Sequence, residues 1–506
     1  MPTDGKPQID RRTLLKAGAL AAMAGPFAGY LATPAYASRS STAFSATEAD
    51  PALVGSWSAP FPLGGIAIHA TLTHVGDVLF FQYVEGQAGV DHTSFAATWN
   101  YYTGVTAQAP FTYPRDVFCA GNNILPDGRV YIAGGHDHTT GKKQDAVGVA
   151  ETDTYDPQGR NWTAGPLLSQ KRWYPTNIGL PSGRTLTFGG QARAGAASNA
   201  VDEYNPATNT IKQLPATATK PLGLYPRMHV MPNGRVLKTG PSRMSAYFDP
   251  ATNSWSNAAS MLYGARNRGN SILLPGASRV LVIGGQSSSN VAPTATTEIL
   301  DTSVTTPKWR YTGSLTYPRV LANTVNLPDG QVLILGGGAQ FKYTNPVTIP
   351  ELYNPVTEAW TPLAAQQASR MYHSTALLLP DGRVLSAGQD DGTLATYGEV
   401  FSPPYLFKGP RPVITGAPSA TGYRQHMSVA TPDAADVSSV IVIKAGSVTH
   451  QVDTDQRALS LTFTASEGAV DVQTPADANL APPGFYMLFI VNTNGVPSEA
   501  PWLHIG

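Results

Sequence analysis

Leu125-Pro126-Asp127-Gly128-Arg129-Val130 reads as a tight turn running into an apolar strand, and the chain returns to it again and again. Copies stand at Leu180-Pro181-Ser182-Gly183-Arg184, Met231-Pro232-Asn233-Gly234-Arg235-Val236, Leu274-Pro275-Gly276, Leu327-Pro328-Asp329-Gly330-Gln331-Val332 and Leu379-Pro380-Asp381-Gly382-Arg383-Val384. A weaker copy, Val75-Gly76-Asp77-Val78-Leu79, precedes them. Successive turn prolines from Pro126 onward lie 55, 51, 43, 53 and 52 residues apart. Apolar residues flank each turn on both sides, as in a β-hairpin.

Most units then reach paired glycines, Gly134-Gly135, Gly189-Gly190, Gly284-Gly285 and Gly336-Gly337. Later come Tyr155-Asp156-Pro157 with Trp162, Tyr204-Asn205-Pro206, Phe248-Asp249-Pro250 with Trp255, and Tyr353-Asn354-Pro355 with Trp360. A unit of about 50 residues built this way resembles the kelch blade. Seven units predict an all-β chain whose residues 38–404 form a seven-bladed kelch-type β-propeller, ring closure removing the open sheet edges. The repeat stops after Tyr397. A proline-rich junction, Phe401-Ser402-Pro403-Pro404-Tyr405, leads into alternating apolar runs such as Val440-Ile441-Val442-Ile443 and Phe485-Tyr486-Met487-Leu488-Phe489-Ile490-Val491. Residues 405–506 are expected to form an immunoglobulin-like (early-set) β-sandwich.

Lys plus Arg and Asp plus Glu both number 34, so no net field steers the chain toward nucleic acid or an acidic membrane. Arg11-Arg12 ahead of the apolar run Leu14 to Ala24, with Ala35-Tyr36-Ala37 as a small-residue cleavage site, reads as a twin-arginine signal over residues 1–37. Gly25-Pro26 and Gly29 interrupt that run, which argues against a membrane anchor. The expectation is a monomer exported to the cell surface or beyond, with a cell-surface glycan as one candidate partner.

Cys119 is the only cysteine. It can form no internal disulfide, which leaves a packed thiol, an intermolecular partner or half of another covalent bond. Counting back seven residues from each turn proline lands on Cys119, Tyr174, Tyr225, Arg268, Leu321 and His373, with Tyr372 one residue earlier. In a radial repeat, equal register means equal height beside the axis. A thiol, two phenols and an imidazole would therefore gather at one rim, as a site requires. Paired carboxylates, which a glycoside-cleaving propeller would need, are absent from these positions. His136 and His138 resemble a metal pair but follow a glycine-ended strand and read as a polar loop.

Phe118-Cys119, Arg172-Trp173-Tyr174-Pro175-Thr176, Arg370-Met371-Tyr372-His373-Ser374 and Val448-Thr449-His450-Gln451-Val452-Asp453-Thr454-Asp455-Gln456-Arg457 resemble the copper-site segments of the copper radical oxidases, the galactose oxidase and glyoxal oxidase group. The resemblance runs from roughly residue 50 to the end. It implies that Cys119 sulfur bonds a ring carbon of Tyr174, and that one copper ion is held by Tyr174, His373 and His450 with Tyr372 axial. It further implies that a small aldehyde, as its hydrate, or a primary alcohol is oxidised by O2 to give H2O2. Tyr225 and Arg268 share the rim and are candidate substrate contacts.

One departure concerns substrate. Galactose oxidases carry a tryptophan shortly after the glycine pair of the tyrosine blade, and Gly189-Gly190-Gln191-Ala192-Arg193 has none. Trp173-Tyr174-Pro175-Thr176 looks instead like the glyoxal oxidase branch. The rival readings are a galactose oxidase-like carbohydrate oxidase and a kelch scaffold without chemistry.

Overall fold

Each Leu-Pro-Asp-Gly turn joins the first two strands of a sheet in the computed structural model, which describes residues 50–84, 93–137, 147–391 and 394–506. The twin-arginine segment and His138 lie outside the described residues. The turn between Gly121–Ile124 and Val130–Ala133 shows why the motif recurs. Leu125 N–H donates to Arg129 O at 2.8 Å and Gly128 N–H to Leu125 O at 2.9 Å. Asp127 Oδ1 accepts from Arg129 N–H at 3.1 Å. Gly128 closes the loop at φ +87°, in the left-handed region where a side chain would be strained.

Seven of the eight sheets with four or more strands are blades that follow one another along the chain. Their innermost strands, His69–Leu72, Gly121–Ile124, Thr176–Gly179, Arg227–Val230, Asn270–Leu273, Val320–Asn326 and Ser374–Leu378, touch in cyclic order, the last against the first. The chain is an all-β, seven-bladed propeller with a C-terminal early-set sandwich. The seventh blade takes its outermost strand from the N-terminal side, Ser56 pairing Ser402 and Trp57 pairing Phe401. Fourth-strand tryptophans staple the blades: Trp162, Trp255, Trp360 and Trp57 donate Nε1–H to the carbonyls of Ala109, Ala218, Gly313 and Ala364 at 2.7–2.8 Å. Each of those carbonyls lies in the connection that enters the blade.

The sandwich packs a five-stranded sheet, with Val437–Lys444 and Gly484–Asn492 at its centre, against the three strands His426–Ala430, Ala469–Gln473 and Phe463–Ser466. It meets the turn face of the propeller. His74 stacks on Phe485 with centroids 4.0 Å apart, and Arg457 Nη2 donates to Val230 O at 2.5 Å. From the sandwich, a hairpin of Ser447–Thr449 and Val452–Asp453 enters the channel and joins the first blade, His69, Ala70 and Thr71 pairing Thr449, Val448 and Ser447. A shared apolar cluster results, in which Ile441, Ile443, Met487 and Phe489 of the sandwich pack with Leu72, Leu333 and Leu377 of the blades.

Candidate metal centre

The register positions share a backbone conformation as well as a height. Cys119, Tyr174, Tyr225, Arg268, Leu321 and His373 all have positive φ, from +42° to +65°. Such values cost a non-glycine residue about 1–3 kcal/mol each and persist only where the surroundings fix them. Two devices do so. The glycine pairs accept the next blade's backbone where a side chain would stand: a Cβ on Gly134 would lie 2.5 Å from Arg172 O, and one on Gly336 would lie 2.3 Å from Arg370 O. Buried arginines then clamp the loops from beneath. Arg172 pairs Asp202 at 2.9 Å, Arg266 pairs Glu298 at 2.8 Å, Arg319 pairs Glu351 at 2.7 Å and Arg370 pairs Glu399 at 3.5 Å. Arg172 and Arg370 lie two residues before Tyr174 and Tyr372.

His450 reaches the same rim from the tip of the channel hairpin. The segment after it is what anchors it. Asp453 Oδ1 accepts the N–H groups of Ser447, Asp455 and Gln456 at 3.0–3.3 Å. Asp455 accepts from Ile124 N–H at 2.7 Å and from Lys444 Nζ at 3.0 Å. Arg457 donates to the carbonyls of Asn479 and Leu480.

Among the described residues, Cys119, His373 and His450 form the one group of three or more Cys, His or carboxylate side chains whose ligating atoms converge, all within 4.8 Å of one another. His450 Nε2 lies 3.4 Å from Cys119 Sγ, and Tyr174 and Tyr372 meet hydroxyl to hydroxyl. Both imidazoles aim Nε2 inward. His373 Nδ1 bonds Asp390 Oδ2 at 2.7 Å, leaving a buried Nε2 with no hydrogen-bond partner. His450 Nδ1 bonds Thr449 Oγ1 at 2.7 Å. Burial above all drives both imidazole pKa values well below the ordinary range, so both rings keep a lone pair for a metal. Burial likewise raises the Tyr174 and Tyr372 phenols and the Cys119 thiol. A cation here would reverse that and take the phenols as phenolates. Two imidazoles and two phenols suit tetragonal Cu(II), and the orphaned His373 Nε2 is what such an ion would satisfy.

The site opens into a cavity of about 620 Å³ walled by Trp173, Tyr174, Tyr225, Arg268, Phe341 and Tyr372. Arg268 lays its guanidinium 3.5 Å above the Phe341 ring. Tyr225 presents its ring to Tyr174 and His450, while its hydroxyl donates to Ala120 O at 2.8 Å. His136 stands apart from the converging atoms, its ring 5.2 Å from that of Trp173. Sequence reasoning missed three neighbours. Trp173 covers Tyr174 with ring centroids 4.3 Å apart, an indole from the neighbouring chain position rather than from beyond the glycine pair. Asp390 and Phe341 sit in loops with no motif to mark them.

Residues 83–405 match the family described as glyoxal oxidase N-terminus, and residues 411–505 match the galactose oxidase-like early-set domain. The chain belongs to the glyoxal oxidase family. Its relatives include a galactose oxidase of Gibberella zeae, 28% identical over 81% of this chain and 64% of that protein. Another is the aldehyde oxidase GLOX of Vitis pseudoreticulata, 29% identical over 78% of this chain and 83% of that one. The chain thus spans just under two thirds of the galactose oxidases that it matches. Among solved structures, a fungal alcohol oxidase in complex with copper superposes with TM-score 0.79, 24% identity, and coverage of 89% of this chain and 99% of that one. The family's fold therefore extends through both parts of the molecule.

Proposed function

We propose that this protein is an exported mononuclear copper radical oxidase that converts small aldehyde hydrates or primary alcohols with O2, releasing H2O2. The observation that carries the reading is the convergence of Cys119, Tyr174, Tyr372, His373 and His450 at one rim, with His373 Nε2 buried and unpartnered. Tyr174, Tyr372, His373 and His450 would hold the copper ion, and Cys119 would be joined to the Tyr174 ring as a thioether. Copper bound there would supply one oxidising equivalent and the sulfur-substituted phenol the other, so a two-electron oxidation would need no organic cofactor.

The protein's own groups do the rest. Tyr372 Oη takes the substrate hydroxyl proton as general base, and Tyr174 Oη takes the hydrogen from carbon. Trp173 covers the Tyr174 ring and excludes solvent from it. Arg268, on its Phe341 platform, orients the substrate from the cavity wall. The names of the relatives point both to aldehydes and to a sugar alcohol; Trp173-Tyr174 and the lack of tryptophan after Gly190 favour aldehydes. A peroxidase-coupled screen of aldehydes, alcohols and sugars on copper-loaded, oxidant-treated protein is the test. Peroxide from glyoxal, methylglyoxal or glycolaldehyde is expected. No peroxide from any substrate would refute the oxidase reading, and galactose as best substrate would refute the aldehyde assignment.

A further inference from the structure

Around the channel, three register residues take the carbonyl of the register residue before them. Tyr174 N–H donates to Cys119 O at 2.9 Å, Tyr225 N–H to Tyr174 O at 2.8 Å, and Leu321 N–H to Arg268 O at 2.9 Å. Cys119 N–H does not take the matching carbonyl of the first blade. At the matching height in the first blade stands Ala67, seven residues before His74, and its carbonyl accepts from Thr375 Oγ1 at 3.0 Å. Cys119 N–H donates instead to a side chain, His69 Nε2, at 3.1 Å.

That imidazole is held on every side. His69 is fully buried on the innermost strand of the first blade, its face 4.3 Å from the Phe81 ring at an interplanar angle of 14°. Its Nδ1 bonds Asn122 Oδ1 at 3.1 Å, and Asn122 Nδ2 donates to Ser447 Oγ at 2.6 Å. An amide N–H can donate only to an unprotonated nitrogen. The ring is therefore neutral with its proton on Nδ1, a state that burial enforces by lowering its pKa to about 3. Ser447 belongs to the hairpin that delivers His450, so one chain of contacts ties the cysteine to the ligand-bearing loop.

Resting on the copper radical oxidase reading, the geometry points to His69 as the positioning residue for cross-linking: it takes the place of a register carbonyl and fixes Cys119 at φ +57°, packed with Tyr174. In the reaction an S–H bond and a ring C–H bond break and one C–S bond forms. Two electrons and two protons pass to one dioxygen, giving hydrogen peroxide. Without the imidazole acceptor, a buried N–H seeks another partner and the cysteine leaves its left-handed conformation.

Copper-free protein is mixed with Cu(II) in air, and the loss of two hydrogens is followed by intact-protein mass spectrometry, with copper retention measured in parallel. His69→Gln places an acceptor oxygen near the Nε2 position and should cross-link within about three-fold of the native rate. His69→Asn places it too short, and should slow cross-linking about ten-fold or more while copper retention stays native. Equal rates for the two variants, or native rates in both, would overturn the inference. Should neither fold, Asn122→Ala, which removes the partner that sets the tautomer, replaces them; native cross-linking in it would be equally fatal. If the native protein itself loses no hydrogens, the oxidase reading fails instead.

Discussion

Cys119, Tyr174 and His373 hold φ of +57°, +59° and +65°, and their spacing from the turn prolines was enough to place them at one rim. What spacing could not show is the support around them. Trp173, Asp390 and His69 act through tertiary contacts that carry no period, and His69 lies inside the apolar run Ile66-Ala67-Ile68-His69-Ala70, where it reads as core. Two predictions belong here. Copper and oxygen should make Cys119 inert to alkylation in the unfolded protein, with a mass loss of about two hydrogens; full alkylation would exclude the thioether. Asp390 orients His373 through its Nδ1, as second-sphere carboxylates orient metal-bound imidazoles. Asp390→Asn should therefore weaken copper retention about 10- to 100-fold, measured after dialysis, and unchanged retention would remove Asp390 from the site.

The hairpin that carries His450 shows the limits of reading elements from sequence. Its strands Ser447–Thr449 and Val452–Asp453 are short, and their partner His69–Leu72 lies nearly four hundred residues away, so local alternation gives no sign that the sandwich donates strands to the first blade. His450→Ala should cut copper retention, and native occupancy would show that the hairpin does not complete the centre. The same element predicts a pH dependence. Burial and the neighbouring Asp455 push the Asp453 carboxyl up to about 7, above its unfolded value of about 3.9. A raised carboxyl pKa contributes stability that is present below about pH 4 and is lost as pH rises through 7. Asp453→Asn keeps the accepting Oδ1 and removes that loss. Its melting temperature should match the native protein near pH 4 and exceed it at pH 8; a constant difference across that range would mean that Asp453 does not titrate in the folded state.

At the scale of the whole molecule the seven repeats and the sandwich were legible, because a fifty-residue period and alternating apolar runs are local patterns. How the ring is locked was not. The strand Ser56–Trp57 completes the seventh blade and the sandwich's hairpin extends the first, so segments from before and after the blade repeats flank the same seam. Two apolar clusters are shared between blades and sandwich. Neither part can open without exposing the other's core, and residues 50–506 should unfold in one cooperative transition rather than as two modules. On the proposed ligand set copper would join a histidine from each part and bind only the folded chain, so it should raise that single transition as a whole, by about 2.7 kcal/mol at a free concentration 100-fold above its dissociation constant. Scanning calorimetry with and without copper decides the matter. Two resolved transitions, with only one of them moved by the metal, would show that the sandwich and its hairpin detach from the ring before the ring melts.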